Sequence, residues 1–168
     1  MIYQMTIPLF VKTLNNLSHV LEKGVQHAEA KKFDVEVLLN SRLAPDQFHL
    51  IRQVQIACDT AKLCASRLSG KEAPSHADTE KTFPEIKKRI QETAAYLNTF
   101  SDKDFQGAEE KRVTTPRWEN KYLLGMDYVT NHAIPNIYFH VTTAYSILRH
   151  NGVDIGKKDY LGDLPFRS

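Results

Sequence analysis

The sequence predicts an all-α protein, a four-helix bundle with irregular connectors and an ordered C-terminal tail. Four stretches repeat apolar residues at steps of three and four, the period of a helix that buries one face. The chain has 168 residues, of which 42% are hydrophobic and 25% charged, as expected for one globular domain over residues 1–168. Four such helices cover their apolar faces most simply by packing around one core.

The first helix is expected to begin at Ile7, with Thr6 as its cap and Pro8 in its first turn, and to end near Ala30. Apolar residues recur at steps of three and four throughout this helix. The connector that follows has one short turn, which we expect to start at Asp34.

The second helix is expected over residues 45–69, because Pro45 can open it and Gly70 can close it. Cys58 and Cys64 both lie on its apolar stripe. At a rise of ~1.5 Å per residue they are roughly 9 Å apart along the axis, too far for a disulfide. We therefore interpret both cysteines as small core residues.

The third helix begins with a capping box at residues 82–85. The charged run at residues 87–92, which includes Arg89, is interpreted as the solvated outer face of this helix. The preceding residues 71–81 are charged and poor in apolar side chains, which predicts a surface loop in which His76 faces water.

Two segments outside these helices lack a helical period. Within residues 101–121, the stretch 113–115 before a proline suggests a short strand or an arm, and Trp118 could pack on a lid or on a second subunit. The tail after Gly152 is expected to be an ordered coil. Its predicted anchors are Tyr160, Leu161 and Phe166.

The fourth helix, within residues 123–152, carries the candidate site. His132, Asn136 and His140 are spaced four residues apart, so they form a polar ladder along an otherwise apolar seam. Pro135 removes one backbone hydrogen bond from the helix interior, which predicts a kink near residue 131. The ladder is suited to a metal ion or a small polar ligand.

Charge and sorting signals narrow the functional classes. The formal net charge of +2 provides no strong field for nucleic acid. The first residues lack a basic signal-peptide region, and no apolar run reaches the ~18 residues of a membrane helix. We therefore expect a cytoplasmic protein without nucleic-acid or membrane partners. With no glycine-rich phosphate loop and no recognisable nucleophilic triad, catalytic residues stay unknown.

The segment QVQIACDTAKLCASRLSG on helix two and the end of helix four, TTAYSILRHNGV, resemble the DinB-like superfamily of four-helix-bundle proteins. Within it, the chain looks most like a branch labelled a domain of unknown function. The likeness runs from the region of Tyr3 to the segment GKKDYLG and implies a DinB/YfiT-like bundle. In metal-binding members, one histidine on helix two and an H-x-x-x-H pair on helix four bind a divalent cation. Some of these members are transferases or isomerases that act with a small thiol.

The resemblance places the second histidine of the helix-four pair on His140, the first on Asn136 and the helix-two histidine on Gln53. Two of the three ligand positions therefore hold amides. Amide oxygens are weak ligands for zinc or nickel, which prefer imidazole. His49 and His132 lie one turn away from the two amides and would restore a three-histidine set with His140.

Three functions remain open. The first is binding of a small polar ligand in a pocket between helices two and four, built from Gln53, Asn136 and His140 around a degenerate metal site. The second is a divalent-metal-dependent transferase or isomerase that uses a small thiol. The third is a homodimeric structural or interaction module, joined through helix faces or the arm around Trp118. The purely structural interpretation of His140 is a buried histidine hydrogen-bonded to Gln53 or Asn136.

Overall fold

A computed structural model describes residues 1–167 and confirms the helical bundle. Two short antiparallel strands complete the fold. Across the described residues, no helix combines the length and apolar character needed to cross a membrane. The helices in chain order are α1 (Ile2–Lys31), α2 (Glu36–Leu39), α3 (Leu50–Ser69), α4 (Phe83–Leu97), α5 (Gly125–Tyr128), α6 (Ile134–His150) and α7 (Lys157–Leu161).

The four long helices α1, α3, α4 and α6 enclose one apolar core. α3 packs between α4 and α6, and α1 completes the ring by packing against the same two helices. Only α3 and α4 are neighbours both in the chain and around the ring, so the other two connections cross the bundle. The two sides of α3 therefore face different helices, α4 on one side and α6 on the other.

α1 begins at Ile2, so the predicted start at Ile7 is wrong. Thr6 does not cap the helix, because its hydroxyl lies inside it and donates a hydrogen bond of 2.7 Å to the Ile2 carbonyl. Ile2 is fully buried in the core, so the helix continues on the N-terminal side of Pro8. Pro8 lies inside this helix, where it lacks the N–H that would bond the Gln4 carbonyl and its ring crowds that carbonyl.

α3 begins at Leu50, so the predicted start at Pro45 is also wrong. The backbone N–H of Leu50 donates to the Ser41 carbonyl at 3.0 Å, which ties the start of the helix to the connector. Phe48 is consequently outside the helix and exposed. The predicted end is confirmed, since Gly70 adopts the left-handed conformation with φ of 86°.

The two cysteines of α3 are free thiols with no exposed surface, as the sequence predicts. Both sit in the core cluster among apolar side chains from the other long helices. They act as small packing residues there.

α4 begins with the predicted capping box at residues 82–85. The interpretation of its charged run as a solvated face is wrong for Arg89, which is only 1% exposed. Residues 71–81 fold back over this face, and Arg89 binds Asp78 within that segment. His76 in the same segment is 12% exposed and bonds Lys62 at 2.6 Å, so the prediction that it faces water is wrong.

The extended segment before the fourth helix is a hairpin. Strand β1 (Arg112–Val113) pairs in antiparallel register with β2 (Leu123–Leu124), which confirms a short strand in this region. Residues 114–122 between them form a loop, which we call the 114–122 loop. Its shape is held by a hydrogen bond of 2.8 Å from the Thr114 hydroxyl to the Lys121 carbonyl.

The fourth predicted helix is one run of helical backbone made of α5, a π-helical turn at Val129–Ala133 and α6. The π turn contains residue 131, near which the sequence predicts a kink because of Pro135. The predicted position is therefore right, but the distortion is a widened helical turn. Gly125 starts this run beside the Ala108 carbonyl oxygen, with which a Cβ at that position would collide.

Residues 153–167 of the tail are not all coil as predicted, because they include the short helix α7, and the predicted anchors are only partly right. Tyr160 does anchor α7, because its hydroxyl bonds Thr142 at 3.0 Å. Leu161 and Phe166 are exposed, Phe166 by 87% of its surface. Val153 and Ile155 bury their side chains in the core instead, directly after the end of α6.

Candidate functional site

A cavity of about 430 Å³ lies between α3, the π turn and α6. Residues 115–118 of the 114–122 loop contribute to its wall, so that the loop covers one side of it. This volume falls in the range of pockets that hold small molecules. We refer to it as the α3–α6 cavity.

The polar ladder that the sequence predicts faces this cavity. His132, Asn136 and His140 all contribute to its wall. The other two predicted residues do not: Gln53 lies behind His140, and His49 is the residue before the first turn of α3. The structure therefore brings three of the five candidate residues together at one surface and one more into contact with them.

His140 is held by Gln53. Its Nδ1 lies 2.7 Å from Oε1 of Gln53, whose Nε2 donates to the Phe48 carbonyl at 2.9 Å. Since the amide oxygen can only accept, Nδ1 of His140 carries the proton and Nε2 is left with its lone pair. Burial, reinforced by the charge of Arg52, lowers the pKa of His140 to about 4, so the ring is neutral at pH 7.

Asn136 is held by the neighbouring helix. Its Nδ2 donates to the Thr60 hydroxyl at 2.7 Å, and that hydroxyl donates to the Ile56 carbonyl at 2.7 Å. The Oδ1 of Asn136 has no hydrogen-bond partner within residues 1–167. An acceptor is therefore left at the cavity wall, one turn from His140.

His132 is fixed by aromatic rings. It stacks on Tyr128 with 5.4 Å between centroids and meets Trp118 edge-on at 5.3 Å. Its Nδ1 is buried and has no partner in the described part of the chain. Burial and the charge of Arg67 lower the pKa of His132, which favours the neutral ring.

Three arginines of this cavity were not among the residues predicted from the sequence: Arg52 and Arg67 from α3 and Arg117 from the loop. A signal for the first two exists, because α3 carries a second stripe at steps of three and four beside its apolar one. Its members all line the cavity: Arg52, Ile56, Asp59, Leu63 and Arg67. Arg117 comes from a loop, where no periodic pattern could have indicated it.

The histidines do not fit a divalent metal ion in this arrangement. Nowhere in residues 1–167 do three or more His, Cys, Asp or Glu side chains converge as a ligand set. Of the three candidate histidines, His132 is packed between two aromatic rings, while His140 bonds Gln53 through Nδ1 and keeps only its Nε2 free. His49 lies outside the cavity wall, at the start of α3.

Comparison with known proteins identifies relatives of the whole chain. Residues 2–161 match the family model of DUF1993, a domain of unknown function. The chain is 54% identical to a DinB family member protein from Shewanella denitrificans with a crystal structure. That match has a TM-score of 0.97 and covers 100% of this chain and 96% of the other. No curated protein matches the chain.

Proposed function

The chain belongs to the DUF1993 family, a DinB-like branch of helical-bundle proteins, and we propose that it binds a small polar ligand in the α3–α6 cavity. The observation that carries this proposal is that two free acceptors share the wall of one cavity, one helical turn apart. These are Nε2 of His140 and Oδ1 of Asn136. A polar molecule with hydrogen-bond donors would pair with both of them.

Gln53 acts in this proposal as a positioning residue. It orients His140 and fixes which ring nitrogen carries the proton. Asn136 and His140 then present acceptors at fixed positions, and the aromatic rings around His132 supply an apolar surface. Directed polar groups beside an apolar surface orient the ligand in small-molecule pockets.

A thermal-shift screen of small polar compounds tests the proposal. Compounds that stabilise the wild type should lose their effect in the His140→Leu variant. The matched control is His150→Leu, the same substitution at an exposed position at the end of α6, which should retain the effect. Equal responses of both variants, or no stabilising compound for the wild type, would overturn the proposal.

The alternative of a metal-dependent transferase or isomerase using a small thiol requires a ligand set that includes His140. Elemental analysis of untagged protein after incubation with zinc, nickel and manganese separates it from the pocket proposal. We expect well under one equivalent of metal, because amides occupy two of the three positions that the family resemblance assigns to histidines. About one equivalent, lost in His140→Ala, would favour the enzyme.

A homodimeric interaction module stays a prediction of the sequence. Trp118, its proposed contact residue, packs on Tyr128 of its own chain at 6.1 Å between ring centroids. Light scattering at several protein concentrations distinguishes a monomer from a dimer. A dimer without any stabilising ligand would favour the module over the pocket.

A further inference from the structure

More positive than negative side chains line the α3–α6 cavity. Three arginines and one carboxylate, Asp59, contribute to the wall. Asp59 is already engaged by two cations from outside the cavity, Lys62 at 2.9 Å and Arg89 at 2.8 Å. Among the described residues, the only carboxylate of the wall is therefore already paired with cations from outside the cavity.

The three arginines are not equally free. Arg52 is paired with Asp78 on the surface of the bundle. Within residues 1–167, neither Arg67 nor Arg117 has a carboxylate within 4.0 Å. The cavity thus carries two guanidinium groups whose charge no described residue balances.

Arg67 is also positioned for recognition. Its Nη1 donates to the Tyr128 hydroxyl at 3.1 Å, and its guanidinium lies 5.9 Å from the centre of the same ring. Burial raises the pKa of Tyr128 to about 12, so the hydroxyl keeps its proton at neutral pH. Tyr128 accepts from Arg67 and retains one O–H to donate. The Arg67 guanidinium is therefore held at the cavity wall by a side chain that is itself buried.

We propose that the ligand of this cavity is a small organic anion whose carboxylate or phosphate group binds Arg67, with Arg117 of the 114–122 loop as a second contact. A guanidinium matches the geometry of both anionic groups and binds them through two parallel hydrogen bonds. This inference rests on the proposed function, since it names the charge of the molecule that the cavity would hold. The neutral side of the ligand would meet the acceptors of Asn136 and His140.

The chain's single tryptophan makes a direct test possible, because Trp118 lines the cavity. Its fluorescence is titrated with sodium phosphate, with sodium succinate and with succinamide, the uncharged counterpart of succinate. Sodium chloride keeps the ionic strength constant. We expect a saturable change with phosphate or succinate and none with succinamide, and the better anion identifies which group the site takes.

Substitutions assign the effect to the arginines. Arg67→Gln should weaken the anion by about tenfold or more, the expected loss for a charge-assisted hydrogen bond. Arg117→Gln should weaken it by about threefold, because this residue is exposed. The matched control is Arg149→Gln, an exposed arginine at the end of α6 whose guanidinium bonds only the nearby Val153 carbonyl. If Arg67→Gln fails to fold, Arg117→Gln still decides the question.

The outcomes separate this inference from the proposed function. If succinamide changes the fluorescence as much as succinate does, or the arginine variants bind like Arg149→Gln, the anion inference is wrong while the pocket stands. If no probe changes the fluorescence and the thermal-shift screen finds no compound, both are wrong. Anion binding that depends on Arg67 supports both.

Discussion

Two arginine-bearing regions flank α3, one toward α4 and one toward α6, and meet at Asp59; they differ in how their charges are balanced. On the side of α4, Arg89 contacts Asp59 at 2.8 Å, Asp78 at 2.6 Å and Glu80 at 2.9 Å. On the side of α6, Arg67 faces the cavity, and no carboxylate of the described residues pairs with it. One region is internally neutralised, and the other carries excess positive charge beside an open volume.

The difference separates two uses of the same side chain. A buried cation is costly unless opposite charges surround it, and Arg89 is 1% exposed. Burial alone would lower the pKa of Arg89, but its bonds to Glu80, Asp59 and Asp78 outweigh that effect and raise it. Arg89 therefore joins α3, α4 and the 71–81 segment. Arg67 joins no segments through an ion pair, which leaves its charge for a ligand.

The largest expected effect comes from removing Arg89, the central cation of the neutralised region. Arg89→Met should lower the free energy of unfolding by about 3 kcal/mol, because it leaves three carboxylates close together without their shared cation. Urea denaturation measures this change. The control Lys88→Met replaces a neighbouring cation that is 74% exposed, and it should change stability by less than about 0.5 kcal/mol.

The same substitution at Arg67, on the α6 side of α3, tests the other region. Arg67→Met should lower the free energy of unfolding by only about 1 kcal/mol, since it removes one hydrogen bond to the Tyr128 hydroxyl but breaks no ion pair. A loss as large as that of Arg89→Met would show that Arg67 is structural. The division between the two regions would then fail.

Acid should weaken the neutralised region selectively. Partial burial acts to raise the pKa of Asp78 and Glu80, but the hydrogen bonds from Arg89 and its neighbours outweigh it and hold both pKa values below their usual range. A carboxylate with a depressed folded-state pKa stabilises the protein above its unfolded pKa, about 4. That stability is lost as the pH falls through the folded-state value.

Urea midpoints at several pH values between 7 and 3 test this. The wild type should lose stability below about pH 4, and Arg89→Met should lose less. The hydrogen bond from Lys23 lowers the pKa of Asp159 to about 2. None of the groups that shift it is part of the Arg89 region, so its contribution to acid sensitivity should be the same in both proteins. Equal slopes in the two proteins would place the acid sensitivity outside the Arg89 region.

A smaller effect concerns the cavity wall. His140→Leu, Gln53→Leu and the double variant form a cycle that isolates the bond between the two side chains. We expect a coupling free energy of about 1 kcal/mol, because each single change leaves a buried polar atom without its partner. Coupling near zero would mean that Gln53 does not position His140.

The smallest expected signal uses the thiols of α3 as reporters. Burial raises the pKa of both Cys58 and Cys64 to about 12, so neither should react with a disulfide reagent at pH 8 in the folded protein. Both should react fully in urea. In Arg89→Met both thiols should react faster than in the wild type, because the destabilised bundle opens more often. Rapid reaction in the wild type would contradict the packing of this helix.

The interior of the bundle follows closely from the sequence. The apolar periods of the four long helices, the capping box at residues 82–85 and the perturbation near residue 131 all appear where the sequence predicts them. Helix ends were less predictable, because Ile2 and Leu50 owe their positions to contacts with distant residues. The polar ladder is likewise local, since His132, Asn136 and His140 share one helix.

The sequence by itself determined which residues could share a helix face, because that depends only on the helical period. It therefore determined the bundle, the buried cysteines and the common cavity wall of His132, Asn136 and His140. Only the tertiary structure decided which charges are paired. A periodic pattern shows Arg89 and Arg67 equally as polar positions, but ion pairing depends on where the 71–81 segment and the 114–122 loop fold back.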